Sequence, residues 1–277
     1  MEIIINKKYK IIKELGEGAF GKLYVGKNIN TNEYVAVKLQ TDEGAILLRN
    51  EARIYNLLKD LRGIPKLRSY GKEEEINYMV ISLLGKSVER NVDVNETINI
   101  GVKLIEIIKG IHDRGVIHRD IKPDNILYSF DTYENIYLID FGLSLCYRDI
   151  DGVHIKNRTN REIVGSVNFI STNIHEGTTA TRRDDLISIC YVLIYLLYGD
   201  LPWDINKIQE TTILNLYKKI HDIKKEIDLN KYYKNIPENI ILCYEYCKGL
   251  GYDDEPDYNY LCRLLKSIEI NNLKMNQ

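Results

Sequence analysis

His118, Arg119, Asp120, Ile121, Lys122, Pro123, Asp124 and Asn125 stand in one run, and Asp140, Phe141 and Gly142 begin fifteen positions after Asn125. Together they offer a carboxylate to accept or orient a hydroxyl proton, a lysine for a phosphoryl group in transit, and an amide with a second carboxylate for Mg2+. Mg2+ takes hard oxygen ligands and keeps some of its waters, so one Asp and one Asn beside phosphate oxygens are a suitable set. The chemistry implied is phosphoryl transfer. A charged turn between a helix and a strand would hold similar residues, but two further motifs stand upstream of this one.

The first is Gly16-Glu17-Gly18-Ala19-Phe20-Gly21, a G-x-G-x-x-G run. A dinucleotide site needs a helix directly after such glycines, whereas here Leu23 and Val25 alternate with Lys22 and Tyr24 as in a strand. A glycine-rich hairpin instead lets backbone N–H groups approach phosphate oxygens without interference from a Cβ. The second is Lys38 in Val35-Ala36-Val37-Lys38, placed on the second strand of that hairpin. A strand lysine is ordinarily solvated. Glu51 argues otherwise, because it shares a helix face with Leu47, Ile54, Tyr55 and Leu58. A carboxylate on an apolar face needs a cation to offset its desolvation, and a Lys38–Glu51 pair would also hold the ammonium within reach of phosphate oxygens.

These groups need a frame. Alternating apolar residues, a polar turn over residues 28–33 and apolar runs at 66–70 and 76–84 read as strands around one helix at 44–61. From Thr97 onward helical spacing dominates: a first helix ends before Gly115, a loop-rich stretch covers about 118–175, and helices follow at 184–199, near 207–226 and twice between 236 and 270. The economical reading is α+β, with a small β-rich lobe and a larger, mainly helical one. They would join near residues 82–90 with a cleft between them.

Residues 186–198 carry no charge, but Asp185 and Asp200 bound them and they fall short of the roughly 20 apolar residues a bilayer requires. They read as a buried helix rather than a membrane span. Lys plus Arg (38) nearly balances Asp plus Glu (40) over 277 residues, so no global field would hold nucleic acid or an anionic membrane. Any polyanion must be met by a local site. Five cysteines at no metal-ligand spacing point to reduced thiols inside a cell, in cytoplasm or nucleus, without structural zinc. The first eight residues, with Glu2 at their start, are too short an apolar run for an export signal.

Across nearly its whole length the chain resembles a eukaryotic protein kinase, and within that superfamily the casein kinase I family. The narrower likeness rests on residues 49–55 (Arg-Asn-Glu-Ala-Arg-Ile-Tyr), Gly63-Ile64-Pro65, Leu83-Leu84-Gly85, Arg182-Arg183-Asp184-Asp185-Leu186, Leu201-Pro202-Trp203 and residues 253–258 (Asp-Asp-Glu-Pro-Asp-Tyr). The resemblance implies a two-lobed kinase domain over residues 9–270, with lobes of about 9–85 and 86–270 and short tails at 1–8 and 271–277. Asp120 would be the catalytic base, Lys122 the phosphoryl-stabilising lysine, Lys38 with Glu51 the phosphate-orienting pair, and Asn125 and Asp140 the Mg2+ ligands. Gly16, Glu17, Gly18, Ala19, Phe20, Gly21 and Lys22 would cover the ATP phosphates. Leu15, Leu23, Ala36, Leu127 and Ile139 would sandwich adenine, with backbone hydrogen bonds from Ser82 and Leu84 and Ile81 as gatekeeper. A lysine two residues past the catalytic aspartate is typical of kinases acting on serine and threonine.

Two departures from the common pattern stand out. Ser171-Thr172-Asn173 replaces Ala-Pro-Glu, as is usual in casein kinase I relatives. Asn168 stands where that family places an arginine that grips acidic or phosphorylated substrates, which puts such a preference in doubt. Lys156, Arg158 and Arg161 offer a weaker local attraction. Thr159 and Ser166 are candidates by position for phosphorylation opposite Arg119, although relatives do not generally require that switch. The chain is expected to act as a monomer on protein serine and threonine hydroxyls. A pseudokinase scaffold is the alternative, and its usual mark, loss of a catalytic motif, is missing.

Overall fold

The computed structural model describes residues 2–18, 21–132 and 134–275. The chain divides into two compact units, Met1–Lys86 with Leu127–Ser144, and Ser87–Ile126 with Leu145–Gln277.

The first unit is a six-stranded antiparallel sheet with one helix. Its strands are β1 (Ile4–Ile5), β2 (Tyr9–Gly18), β3 (Gly21–Asn28), β4 (Tyr34–Gln40), β5 (Leu67–Glu73) and β6 (Ile76–Ser82), in the order β1-β2-β3-β4-β6-β5. Helix α1 (Ala45–Leu57) lies against β5 and β6 and is shorter than the 44–61 its sequence suggested. Strand alternation divides the sheet into two faces. One carries the small core of Tyr9, Val35, Val37, Tyr78 and Val80. In an antiparallel ladder directly opposed residues share a face, so the pairs Leu23–Lys38, Val25–Ala36 and Ala36–Ile81 define the other.

Two expectations change here. The glycine run closes the β2–β3 hairpin, with Gly16 opposite Leu23 and Gly18 opposite Gly21, so Lys38 stands on the next strand, β4. The small lobe was drawn as one stretch ending near residue 85, but residues 127–144 belong to the same unit. Backbone bonds join Gly85 to Tyr128 (2.9 Å), Tyr128 to Lys86 (2.9 Å) and Leu138 to Gly63 (2.9 Å). The returning segment carries a short ladder of β8 (Ile126–Tyr128) and β9 (Ile136–Leu138).

The second unit is mainly helical: α2 (Val94–Asp113), α3 (Thr172–His175), α4 (Arg182–Tyr198), α5 (Ile213–Glu226), α6 (Leu229–Tyr232), α7 (Glu238–Gly249) and α8 (Tyr258–Met275), with a β7–β10 ladder of Val116–Ile117 and Leu145–Cys146. Helix α4 packs against α2 and α7, and its charge-free run is buried almost throughout, which is why it is apolar on every side. Among the described residues no helix is long and apolar enough to cross a membrane. Helix α5 begins at Ile213 rather than near 207. Asp204 instead caps a separate short turn at Ile205–Lys207, and Thr212 caps α5 by accepting from the Asn215 N–H at 3.2 Å.

Candidate active site

In the first unit β4, α1 and the segment after β9 bring three charges together. Lys38 Nζ lies 2.8 Å from Glu51 Oε2 and 3.6 Å from Asp140 Oδ1. Glu51 is only 2% exposed, because its helix face turns to the sheet. Burial works against the Lys38 charge, but Glu51 and Asp140 outweigh it and hold the ammonium above its ordinary pKa. Burial lifts the Glu51 carboxyl above the usual carboxylate range, and Lys38 opposes that lift.

The segment carrying Asp140 is fixed from α1. Asn50 Nδ2 donates to the carbonyls of Gly142 (3.0 Å) and Ser144 (3.0 Å), and the buried Phe141 ring meets Tyr55 edge-on at 5.1 Å. Asp140 itself has φ +66°, a left-handed conformation uncommon for a residue other than glycine, and these contacts hold it there.

The remaining nucleotide candidates also lie in this unit. Leu23, Ala36 and Ile81 share the sheet face of Lys38. Leu127 is on β8 and Ile139 directly follows β9, both half-buried, whereas Leu15 is 49% exposed. The Ser82 N–H donates to Lys66 O at 3.0 Å, so that donor is already engaged within the unit. Leu84 lies in the stretch just after β6. Gly16 and Glu17 are exposed, and Lys22 reaches back to Glu14 at 3.3 Å and Glu17 at 3.8 Å. At Gly21 a Cβ would meet Leu39 O at 2.0 Å, so the backbone crowding there admits only glycine. Gly18 pairs in the hairpin; Ala19 and Phe20 lie outside the described residues.

In the second unit the Asp120 carboxylate is held from three sides. Oδ1 accepts from the Ser166 N–H (2.9 Å) and Oγ (2.7 Å), while Oδ2 meets Lys122 Nζ (3.0 Å) and Asn125 Nδ2 (3.2 Å). Lys122 Nζ also donates to Ser166 Oγ at 3.0 Å, and Asn125 Nδ2 to the Asp120 carbonyl at 2.8 Å. Burial would raise the Asp120 pKa, but Lys122 and Ser166 outweigh it, so the carboxylate stays ionised below the ordinary Asp value. Ser166 is therefore part of the site. Its hydroxyl is engaged by Asp120 and Lys122.

The loop bearing Asp120 hangs from helix α4. Asp185 accepts from the backbone N–H groups of His118 (2.7 Å) and Arg119 (2.9 Å) and from His112 Nε2 at 3.0 Å. Those bonds fix Arg119 at φ +73°. Burial pushes the Asp185 pKa up, but its hydrogen-bond donors win and lower it. Asp184 binds Ser171 Oγ (2.6 Å), Asn173 Nδ2 (3.0 Å) and the Thr181 N–H (2.8 Å), anchoring the segment that replaces Ala-Pro-Glu. Arg182 and Arg183 bind the carbonyls of Asp253 (2.6 Å) and Leu250 (2.7 Å). In the sequence this Arg-Arg-Asp-Asp run was only a family marker. Two adjacent acids at the mouth of an apolar helix were the available signal that backbone elsewhere must satisfy them.

A glycine hairpin, a buried lysine–carboxylate pair and a loop presenting an ionised aspartate beside a lysine define a nucleotide-dependent phosphotransferase. A family model described as the protein kinase domain matches residues 9–257, and the chain belongs to that family. Membership implies ATP as phosphoryl donor and proteins as acceptors. The match ends short of the expected boundary at 270, just before α8.

Proposed function

We propose that the chain is an active serine/threonine protein kinase of casein kinase I type, using ATP with Mg2+. The observation that supports this most is the state of Asp120, an ionised carboxylate held at once by Lys122, Asn125 and Ser166. Asp120 orients the acceptor hydroxyl and takes its proton, Lys122 steadies the phosphoryl group, and Lys38, kept cationic by Glu51, binds the ATP phosphates.

The Asn125 amide nitrogen is committed to Asp120, which leaves its oxygen as the group to offer a cation, and the Asp140 side chain is 43% exposed. Both are hard oxygen donors of the kind Mg2+ takes, so the residues fit. Bound there, Mg2+ would offset the charge on the phosphate oxygens.

Lys122 two residues past Asp120 supports serine and threonine as acceptors, and the separate tasks of residues 182–185 support the casein kinase I assignment. Since the Ser166 hydroxyl already engages Asp120, activity requires no prior phosphorylation of that residue. A monomer is the assembly proposed. Five free cysteines suit a reducing compartment inside the cell.

The decisive assay follows labelled phosphate from ATP to peptide in wild type, Asp120→Asn and Lys38→Met. Both variants should lose about 100-fold or more in rate. Transfer at the wild-type rate by either variant would overturn the assignment. Magnesium-dependent ATP binding by the wild type without transfer to any protein or peptide would favour the scaffold instead.

A further inference from the structure

Lys224 is a buried charge for which the proposed mechanism has no use. It stands on α5, 2% exposed, beside the buried Ile220 one turn earlier. Its Nζ lies 2.7 Å from the Val167 carbonyl, 2.7 Å from the Ile170 carbonyl and 3.3 Å from His175 Nε2. An ammonium has three protons to donate, and these are three acceptors when the neutral His175 imidazole carries its proton on Nδ1. The rings of Tyr191 and Trp203 lie 5.2 and 5.5 Å from the same nitrogen, within the range of cation–π attraction. Among the described residues no carboxylate pairs with it. Burial pushes its pKa well below the ordinary lysine value; the two carbonyls and the ring faces work the other way, toward the charged form.

Both carbonyls belong to one tight turn. The N–H groups of Phe169 and Ile170 bond back to Ser166 O at 2.8 and 3.1 Å, and Trp203 Nε1 donates to Asn168 O at 2.8 Å. At the front of this turn Ser166 grips Asp120 through its N–H and its hydroxyl. Behind it, Gly165 at φ +107° is packed so closely on Arg119 that a Cβ would meet the Arg119 carbonyl at 2.4 Å. The turn has no ladder or helix of its own to set its position. An apolar side chain would fill the Tyr191–Trp203 cage without desolvating a charge, yet it would take the ammonium donor from both carbonyls.

We propose that Lys224 is a positioning residue, an internal cation that sets the turn of residues 166–170 and, through Ser166, the Asp120 carboxylate. The catalytic consequence rests on the kinase reading above. The test is a double-mutant cycle of wild type, Lys224→Met, Ser166→Ala and the double variant, with kcat and KM measured for ATP and peptide. Amide hydrogen exchange at residues 166, 169 and 170 is followed in the same proteins.

Lys224→Met should lower kcat roughly 10- to 100-fold and leave the KM for ATP within about twofold. In the Ser166→Ala background the same change should lower kcat by less than about threefold, because the two residues act in series. Exchange at the turn should quicken about tenfold in Lys224→Met. A kcat loss that is equal in both backgrounds, or no loss with unchanged exchange, would overturn the proposal. If circular dichroism shows that Lys224→Met does not fold, Lys224→Gln, which keeps two N–H donors without the charge, goes through the same cycle under the same criteria. A wild type that transfers no phosphate sinks the kinase reading and the rate effect with it, while hydrogen exchange still decides whether Lys224 sets the turn.

Discussion

On α1 the buried charge is a carboxylate, Glu51, facing the Lys38 ammonium at 2.8 Å; on α5 it is an ammonium, Lys224, facing two carbonyls and an imidazole. In the first region opposite charges cancel, and the Lys38 side chain is still 27% exposed with its second acid, Asp140, at a longer 3.6 Å. Lys38 therefore keeps donor capacity for an anion from outside. In the second region three internal acceptors take up three protons, and nothing is left over for a ligand. Counting donors against acceptors separates a lysine that can bind phosphate from one that can only hold backbone.

The comparison predicts unequal costs of neutralising each region. Glu51→Gln keeps the shape but leaves Lys38 without its main counter-charge, so it should destabilise by about 3 kcal/mol. That is the low end for a broken buried pair, since Lys38 retains a route to water. Lys224→Met removes the charge together with its desolvation cost, leaving mainly two carbonyls without the ammonium donor, and should destabilise by only about 1 kcal/mol. Urea unfolding of the two variants measures both. A Lys224→Met loss as large as that of Glu51→Gln would break the comparison, because it would mean that dipoles hold a buried cation as firmly as an ion pair does.

The two regions were unequally legible. Alternation of Val35, Val37 and Leu39 with Ala36 and Lys38 already sorted the two faces of β4, and a carboxylate among Leu47, Ile54 and Tyr55 announced that a cation must come to it. Lys224 lies four residues beyond Ile220 on the same kind of stripe, but a lysine there raises no such demand, since its stem usually carries the charge out to water. Its partners, Val167 and Ile170, come from 57 and 54 residues away, and no local pattern names them. Ser166 was hidden for the same reason, its hydroxyl meeting a carboxylate 46 residues earlier. The return of residues 127–144 to the sheet was equally out of view, because Gly63 and Asn50 recruit it through long-range hydrogen bonds to backbone carbonyls and amides. Motif order exposed the catalytic groups, and tertiary hydrogen bonding decided how they are held.

A smaller effect should appear with pH. Burial, the Lys224 charge on α5 and His221 on the same helix lower the His175 pKa to about 3, so the imidazole is neutral and able to accept from Lys224. His221 is itself flanked by Asp222 at 3.1 Å and Glu176 at 3.3 Å. Between the ordinary His value near 6.5 and about 3, the unfolded chain binds a proton that the folded one refuses, so stability falls as pH falls through that window. The expected slope from this group approaches about 1.4 kcal/mol per pH unit below pH 6. Urea midpoints at pH 7, 6 and 5 should fall less steeply in His175→Gln than in wild type. Equal slopes would show that Lys224 does not depend on a neutral imidazole, leaving it two acceptors instead of three.

The finest discrimination comes from adding an ion pair to the region that lacks one. Asn168 donates through Nδ2 to Asp204 Oδ1 at 3.2 Å and accepts from the Ile205 N–H at 2.9 Å, so its side chain is used within the chain and faces an acid. Asn168→Arg would place a cation on the turn that Lys224 holds from the other side, with Asp204 competing for it. Stability should change by less than about 1 kcal/mol, as is usual for partly exposed pairs. The KM for an acidic peptide, compared with its neutral analogue, should fall by no more than about threefold, because the guanidinium is already neutralised. Adding Asp204→Asn, which keeps an oxygen to cap the Ile205–Lys207 turn, should free the guanidinium and bring the fall to about tenfold. If the wild-type chain already favoured the acidic peptide by that margin, an anion site would have to lie elsewhere on this segment, with Lys156, Arg158 and Arg161 the first residues to replace.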